Sequence, residues 1–232
     1  MAYSSIVVLT GAGISAESGL NTFRDAGGLW EGYRMEEVAT PEAFAADPEL
    51  VQRFYNARRA QLLSPGVDCN AAHLALAEFE DSFTGDFLLI TQNVDDLHQR
   101  ANSRRVLPMH GELLKARCMR CDTVSEWRVD IDDRSSCPDC NAVGQMRPHI
   151  VWFGEMPLYM EQIEQALLRC DCFVSIGTSS AVYPAAGFQQ LARRAGARTV
   201  ELNLKPSDAA SEFDEAIYGP ATEVVPAFLA GH

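Results

Sequence analysis

The chain has 232 residues, of which 47% are apolar, and it carries a formal net charge of −13. This length suits one large domain or two small ones with a sizeable core. The acidic residues are spread along the chain, which argues against a broad phosphate-binding surface, so we expect no nucleic-acid partner. We find no apolar run of about 18 residues and no signal-peptide pattern, and we therefore expect no membrane association and a cytoplasmic location.

The first predicted element is an apolar strand over residues 6–9, which leads into the sequence Gly11-Ala12-Gly13 and a helical stretch. This order is typical of a nucleotide-binding unit. Further β-branched runs alternate with helical periods, which predicts an α/β fold with a doubly wound parallel sheet of Rossmann type. The other predicted strands lie at residues 87–90, 172–176 and 199–202, and the predicted helices at residues 71–80, 160–169 and 185–195.

Two segments interrupt this alternation. Residues 28–63 are predicted to be helical, with Pro41 and Pro48 as breaks, and residues 112–147 are polar apart from four cysteines. We predict that these two segments form a smaller domain, composed of a helical module and a zinc module. The cleft between this domain and the larger one is the expected ligand site. The large domain then comprises residues 1–27, 64–111 and 148–232.

The glycine turn fits the pattern G-x-G-x-x-A between Gly11 and Ala16. Gly11 would make the tight turn, and Gly13 would let the backbone approach a pyrophosphate at the N-terminus of the helix. Ser15 would cap that helix or bind a phosphate. The motif alone also fits an ordinary glycine turn. A dehydrogenase needs an acidic residue after a second strand, and Asp25 has no predicted strand before it, which disfavours hydride transfer.

Amide and carboxylate side chains follow the predicted strand that ends at Ile90. The residues are Gln92, Asn93 and Asp95, and the carboxyl end of a strand is a suitable place for them to bind an amide-bearing ligand such as nicotinamide. The alternative is a polar loop in which Asp95 caps the next helix.

His110 lies just before the cysteine-containing segment, where the two domains are expected to meet. Its unperturbed pKa, near 6.5, makes it the best available general base at neutral pH. A histidine on the surface, or one satisfied in the core, is the alternative.

Four cysteines follow the pattern C-x₂-C-x₁₅-C-x₂-C, which predicts a zinc site. Four thiolates fill a tetrahedral coordination shell, so the metal would be structural and would leave no open position for catalysis. A chance arrangement or a redox pair is the alternative. The predicted ligands are Cys118, Cys121, Cys137 and Cys140.

Together, these motifs resemble the sirtuins, which are NAD-dependent protein-lysine deacylases. The order GAGIS, TFR, TQNVDDLH, MHGE, two C-x-x-C pairs, FGE, IGTS and ELN is similar to that family from residue 6 to about residue 225. The resemblance implies a Rossmann-type large domain and a small domain with a zinc module and a helical module. It also implies NAD as cofactor, one structural zinc, and acylated lysines of proteins or peptides as substrates.

The resemblance further implies roles for individual residues. His110 matches the catalytic histidine of the sirtuins. Phe23 and Arg24 match the family's cofactor loop, and the GAGIS turn matches the pyrophosphate site. The implied cofactor-binding residues are Gly11, Ala12, Gly13, Ser15, Phe23, Arg24, Gln92, Asn93, Asp95, Gly177, Thr178, Ser179, Asn203 and Ala221.

Three residues resemble the acyl pocket of sirtuins that remove acidic acyl groups. Tyr55 and Arg58 are spaced i and i+3, hence on one helical face, and match the pair that binds the distal carboxylate. Ala39 matches a small residue that enlarges the pocket. The alternative for Arg58 is a solvated surface charge. The implied peptide-binding residues are Val151, Phe153 and Gly154.

The sequence therefore predicts an NAD-dependent protein-lysine deacylase that removes acetyl and succinyl groups. Its products would be nicotinamide, O-acyl-ADP-ribose and the deacylated lysine. Two other functions stay open, an ADP-ribosyltransferase that uses the same NAD pocket and a non-catalytic zinc protein that binds ADP-ribose.

Overall fold

The computed structural model describes residues 3–20, 29–30 and 32–231. Phe23 and Arg24, two of the predicted cofactor-binding residues, lie outside the described residues, as does Asp25.

The strands in the described part of the chain are β1 Ser5–Thr10, β2 Leu29–Trp30, β3 Tyr33–Arg34, β4 Asp86–Thr91, β5 Val106–Pro108, β6 Gly111–Cys118, β7 Val124–Glu126, β8 Met146–Ile150, β9 Cys172–Ile176, β10 Arg198–Asn203 and β11 Glu215–Tyr218.

Six strands form a parallel sheet in the order β5-β4-β1-β9-β10-β11, which confirms the predicted Rossmann-type sheet. All four predicted strands are present within it. The two outermost strands, β5 and β11, were not predicted. Strand β5 has only three residues and ends at a proline, and β11 alternates between partly buried and exposed positions. Edge strands of this kind lack the continuous apolar run by which a central parallel strand is recognised.

The α-helices in the described residues are α1 Met35–Val38, α2 Pro41–Ala46, α3 Pro48–Leu62, α4 Ala71–Ser82, α5 Leu97–Arg100, α6 Met160–Leu167, α7 Phe188–Arg194 and α8 Ala221–Leu229. Both predicted breaks mark helix starts. Pro41 and Pro48 each occupy the first turn of a helix, after Thr40 and Asp47, whose side chains accept backbone N–H groups at 3.0 and 2.9 Å. None of these helices is long and apolar enough to cross a bilayer.

Apolar clusters cover both faces of the large sheet. On one face, α4 and α8 pack against side chains of β1, β4 and β9 such as Val8 and Val174. On the other, α6 and α7 pack against Val7 and Phe173. The sheet is therefore buried on both sides, as a doubly wound parallel sheet requires.

The two predicted insertions contain different elements. Residues 35–62 hold α1, α2 and α3, but the hairpin of β2 and β3 precedes them, so the expectation of helices alone was wrong there. The cysteine-containing segment is part of an antiparallel sheet in the order β7-β6-β8. The boundaries assigned to the two domains stay a prediction.

Helix α3 is joined to the cysteine-containing segment by side-chain hydrogen bonds. The amide of Asn56 donates to the Ile131 carbonyl and accepts the Ile131 N–H, both at 2.9 Å. Fully buried Arg59 donates from Nε to the Leu113 carbonyl at 3.1 Å and from Nη1 to the Asn56 side chain at 2.8 Å. Burial lowers the pKa of Arg59 to about 10, which leaves the group positively charged at neutral pH.

Two glycine turns meet in backbone contact at the carboxyl ends of β1 and β9. The Gly11 N–H donates to the Ile176 carbonyl at 2.9 Å, and the Gly13 N–H donates to the Gly177 carbonyl at 2.8 Å. Gly177 has a φ of +61°, in the left-handed region that favours glycine. A Cβ on Gly13 would lie 2.7 Å from the Gly177 Cα. The pattern predicted closeness to a pyrophosphate, but this packing already requires glycine.

We expect Gly13→Ala to destabilise the protein by about 1–3 kcal/mol, because the added methyl group meets backbone atoms that cannot rotate away. Urea unfolding followed by circular dichroism measures this change. Gly66→Ala is the matched control, since a Cβ at Gly66 meets nothing within 4 Å and its effect should stay within about 0.5 kcal/mol. Equal stabilities for the two variants would contradict the packing argument.

Candidate functional site

The predicted site residues gather where the strand order of the large sheet reverses. Strand β1 lies between β4 and β9: the chain runs from β1 to β4 and β5 on one side, and later continues with β9, β10 and β11 on the other. Ligands of open parallel sheets bind at such a switch point, outside the carboxyl ends of the strands. Here the segments that follow β1, β4, β9 and β10 come together.

Asn93 links the glycine turn to the segment after β4. Its buried side-chain amide donates to the Gly11 carbonyl and to the Ser15 hydroxyl, both at 3.1 Å. Ser15 in turn donates to the Asp95 carboxylate at 3.0 Å. Ser15 does not cap its helix, which is a 3₁₀ helix over Ala12–Ser18 with Gly11 in the cap position, so of its two predicted roles the cap is not found.

Asp95 accepts two hydrogen bonds on opposite oxygens, one from Ser15 and one from the Leu97 N–H at 3.2 Å. The second bond lies at the start of α5, but the cap position of that helix is Asp96, so Asp95 is not itself the cap. Burial raises the pKa of the Asp95 carboxyl to about 6, against the lowering effect of these hydrogen bonds. With a pKa near 6, this carboxyl group is mostly ionised at pH 7 and takes up a proton in mildly acidic solution.

His110 is held by the segment after β4. Its Nδ1 lies 3.0 Å from the Gln92 carbonyl oxygen, and because a carbonyl only accepts, Nδ1 carries the proton. Nε2 then keeps its lone pair. Burial lowers the pKa of His110 below its usual 6.5, partly offset by the bond to Gln92. The imidazole is therefore neutral and able to accept a proton at neutral pH.

Thr178 connects the segments after β4, β9 and β10. The Gln92 side chain donates to its hydroxyl at 3.0 Å, and the Asn203 side chain donates to its carbonyl at 2.8 Å. Ser179 is exposed next to it, and Ala221 is the first residue of α8. The predicted cofactor residues of the described chain thus lie on the loops that end four adjacent strands, apart from Ala221.

Residues 151–154 lie between His110 and α1. The Val151 N–H donates to the His110 carbonyl at 2.9 Å, and the Phe153 N–H donates to the Ala39 carbonyl at 3.0 Å. Phe153 and Gly154 are exposed, and Gly154 has a φ of +90°. This segment therefore runs directly beside the histidine.

Tyr55 and Arg58 lie together on α3, near this segment. Tyr55 is fully buried, and its hydroxyl accepts a hydrogen bond from the Trp152 indole N–H at 3.1 Å. Burial raises the pKa of Tyr55 far above its usual 10, although the nearby charge of Arg58 opposes this, so the phenol keeps its proton. Arg58 is half-buried, with its guanidinium 5.8 Å from the centre of the Phe54 ring.

One residue near Tyr55 was missed by the sequence analysis. Arg147 stacks on the indole of Trp152, 3.4 Å from the ring centre, and binds both carboxylate oxygens of Glu155 at 2.8 and 3.0 Å. Trp152 and Glu155 lie in the same short segment as Val151, Phe153 and Gly154, to which the resemblance assigns peptide binding. No spacing rule connects these two residues to Arg147 on β8. The sequence offered only one indication of such contacts, the tryptophan itself, because a buried indole N–H usually finds a hydrogen-bond partner.

The four predicted zinc ligands form a cluster. Their Sγ atoms all lie within 4.8 Å of one another, and the Cys118–Cys140 and Cys121–Cys137 pairs are each 3.7 Å apart. A tetrahedral zinc with sulfurs at about 2.3 Å separates them by about 3.8 Å. The donor set and its spacing therefore fit one zinc ion with a filled coordination shell.

Comparisons with known proteins agree on one family. A model described as the Sir2 family matches residues 11–184. The chain is 59% identical over 225 residues to an NAD-dependent protein deacylase of Pasteurella multocida (strain Pm70), covering 97% of this chain and 96% of that protein. A crystal structure of a Sir2 homolog–NAD complex matches with a TM-score of 0.89 at 38% identity, over 99% of this chain and 89% of the other. A structure of Sir2 bound to acetylated peptide matches with a TM-score of 0.83 at 28% identity, over 99% and 93%.

We expect Cys118→Ser to lower the zinc content below the one ion per chain of the unmodified protein, and the melting temperature by about 5–10 °C, because metal binding contributes directly to folding. Hydrogen exchange should quicken mainly in residues 112–147. Cys69→Ser is the matched control, since this half-buried thiol lies outside the cluster. A preparation without zinc that melts at the same temperature would contradict a structural metal.

Proposed function

Because this chain belongs to the Sir2 family, we propose that it is an NAD-dependent protein-lysine deacylase. The observation that carries this function is the meeting of three features at one edge of the sheet. These are the paired glycine turns, His110 with its lone pair on Nε2, and the segment 151–154. A deacylase of this family needs a cofactor site, a base and a peptide site in that proximity.

NAD fits the polar groups at the switch point. When bound, NAD supplies a ribosyl carbon that accepts the acyl oxygen while nicotinamide leaves. Gly11, Ala12, Gly13 and Ser15 would line the pyrophosphate site at the helix start. The Gly11 and Gly13 N–H groups themselves already donate to carbonyls at the carboxyl end of β9, so these two donors are committed to the fold. Gln92, Asn93 and Asp95 would bind the nicotinamide and its ribose. The residues Gly177, Thr178, Ser179 and Asn203, together with Ala221, would hold the adenosine half.

His110 acts as the general base. Its Nδ1 proton is committed to the Gln92 carbonyl, so only Nε2 is able to take a proton from a hydroxyl group. The lowered pKa keeps this nitrogen unprotonated at neutral pH. Zinc takes no part in this step, because four thiolates fill its coordination shell.

The acylated substrate would bind as an extended chain along residues 151–154. Backbone pairing with an open segment is a common way to bind peptides without strict sequence preference. The Val151 and Phe153 N–H groups already connect this segment to His110 and Ala39, which sets its distance from the base. A cytoplasmic location and the absence of nucleic-acid and membrane partners stay predictions from composition.

We further propose that the enzyme removes succinyl as well as acetyl groups. Tyr55 and Arg58 lie side by side on α3, and the half-buried guanidinium of Arg58 offers a charge to the distal carboxylate of a succinyl group. The Tyr55 phenol, which keeps its proton, is a donor for the same carboxylate. Ala39, directly after α1, is buried, and its methyl group is the small side chain that such a pocket requires.

We expect His110→Tyr to lower deacylation of every acyl group by about 10²- to 10⁴-fold, because it removes the base without touching the cofactor turn. The assay follows nicotinamide release and the mass of an acetyl-lysine peptide, with and without NAD. Free nicotinamide with O-acyl-ADP-ribose identifies a deacylase, whereas ADP-ribose attached to protein would identify a transferase. Activity within tenfold of the unmodified enzyme, with cooperative unfolding retained, would remove His110 from the mechanism.

We expect Arg58→Met to lower kcat/KM for a succinyl-lysine peptide by about ten- to two-hundredfold relative to the acetyl-lysine peptide, since a hydrogen bond to a charged group contributes about 1.5–3 kcal/mol. Tyr55→Phe should change the ratio in the same direction. Arg53→Met is the matched control, because this arginine is exposed on the same helix. Equal losses on both peptides would instead make Arg58 a structural residue of α3.

A further inference from the structure

The hydroxyl of Tyr55 has a defined partner in Trp152. The indole Nε1 lies 3.1 Å from the phenol oxygen, and both side chains are buried, with Trp152 only 3% exposed. An indole N–H can only donate, so the phenol oxygen is the acceptor in this bond. The proton of the phenol consequently points in another direction.

Trp152 is itself held on several sides. Its backbone N–H donates to Glu155 Oε2 at 2.8 Å, and the Arg147 guanidinium lies over its ring. Arg147 is fixed by two hydrogen bonds to Glu155 and by a third to the Ile150 carbonyl at 2.9 Å. Phe44 packs on the indole with ring centres 5.1 Å apart. The indole N–H is thus fixed in place before any substrate binds.

This arrangement favours donation by the Tyr55 phenol. A hydroxyl group that accepts one hydrogen bond becomes a stronger donor in its second, because hydrogen bonds in a chain polarise one another. With the indole N–H removed, the phenol oxygen would lose the hydrogen bond that it accepts from Trp152, and with it this polarisation.

From these contacts we infer that Trp152 is a positioning residue for acidic acyl groups, which sets the direction of the Tyr55 hydroxyl through its indole N–H. The inference rests on the proposed desuccinylation, and it adds a residue that does not itself touch the carboxylate. It predicts that the effect of Trp152 on succinyl preference depends on the presence of the Tyr55 hydroxyl.

The test is a double-mutant cycle with Trp152→Phe, Tyr55→Phe and the combined variant, each assayed on succinyl-lysine and acetyl-lysine forms of one peptide. Trp152→Phe should lower the ratio of kcat/KM for succinyl over acetyl by about two- to tenfold, the effect of losing one neutral hydrogen bond. The loss should appear in KM for the succinyl peptide. In the Tyr55→Phe background, the same change should leave the ratio within about twofold.

Phe44→Leu is the matched control, because it loosens the packing around the indole but leaves the N–H in place. It should not change the ratio. Where Trp152→Phe folds poorly by thermal melting, 3-benzothienylalanine at position 152 replaces the N–H by sulfur in a side chain of nearly the same shape. This variant should give the same shift in the ratio.

The outcomes separate this inference from the proposed function. A ratio unchanged by Trp152→Phe but lowered by Tyr55→Phe would overturn the role of Trp152 and leave desuccinylation standing. Equal losses on both peptides, or losses that add in the combined variant, would make Trp152 a packing residue only and would also overturn the inference. A ratio unchanged by Tyr55→Phe and by Arg58→Met would overturn the proposed acidic acyl pocket itself.

Discussion

The close approach of two backbone turns, at Gly13 and Gly177, is the constraint on which the site depends. Their contact holds the carboxyl ends of β1 and β9 together, and the Gly13 N–H to Gly177 carbonyl bond leaves no room for a side chain at either position. Thr178 follows directly, and through it Gln92 and Asn203 are drawn to the same place. The position of His110 depends on Gln92 in turn. The contact between Gly13 and Gly177 therefore helps to fix the position of His110 relative to the cofactor-binding turn.

Local patterns predicted the parts of the fold and site that depend on local chemistry. The spacing of four cysteines is enough to define a zinc site, and a buried apolar run is enough to define a central parallel strand. The same reasoning failed for β5 and β11, because short edge strands carry no such run. It also related Gly13 to the cofactor or to an ordinary glycine turn, and did not anticipate the contact with Gly177, 164 positions away, which already excludes a side chain.

Long-range pairing explains what the sequence could not predict. Arg58 and Arg59 are neighbours of identical chemistry, yet the rotation of about 100° per residue in an α-helix turns them toward different surroundings. Arg58 is half-buried beside Tyr55, whereas Arg59 is fully buried with its donors on Leu113 and Asn56. The bond between Trp152 and Tyr55 likewise joins residues 97 positions apart. Such pairs follow from the assembled fold, and no spacing rule within one element indicates them.

The reciprocal hydrogen bonds between Asn56 and Ile131 have a consequence for insertions and deletions. The side-chain amide of Asn56 imitates the backbone of a neighbouring strand, since it both donates to and accepts from the peptide groups of Ile131. Ile131 lies between the two cysteine pairs, and its side chain is buried in the core of the cysteine-containing segment. The connection from Cys121 to Cys137 is therefore anchored near its middle. Its length can vary on either side of Ile131 only if that residue still faces α3, so the loop tolerates fewer lengths than its polar composition suggests.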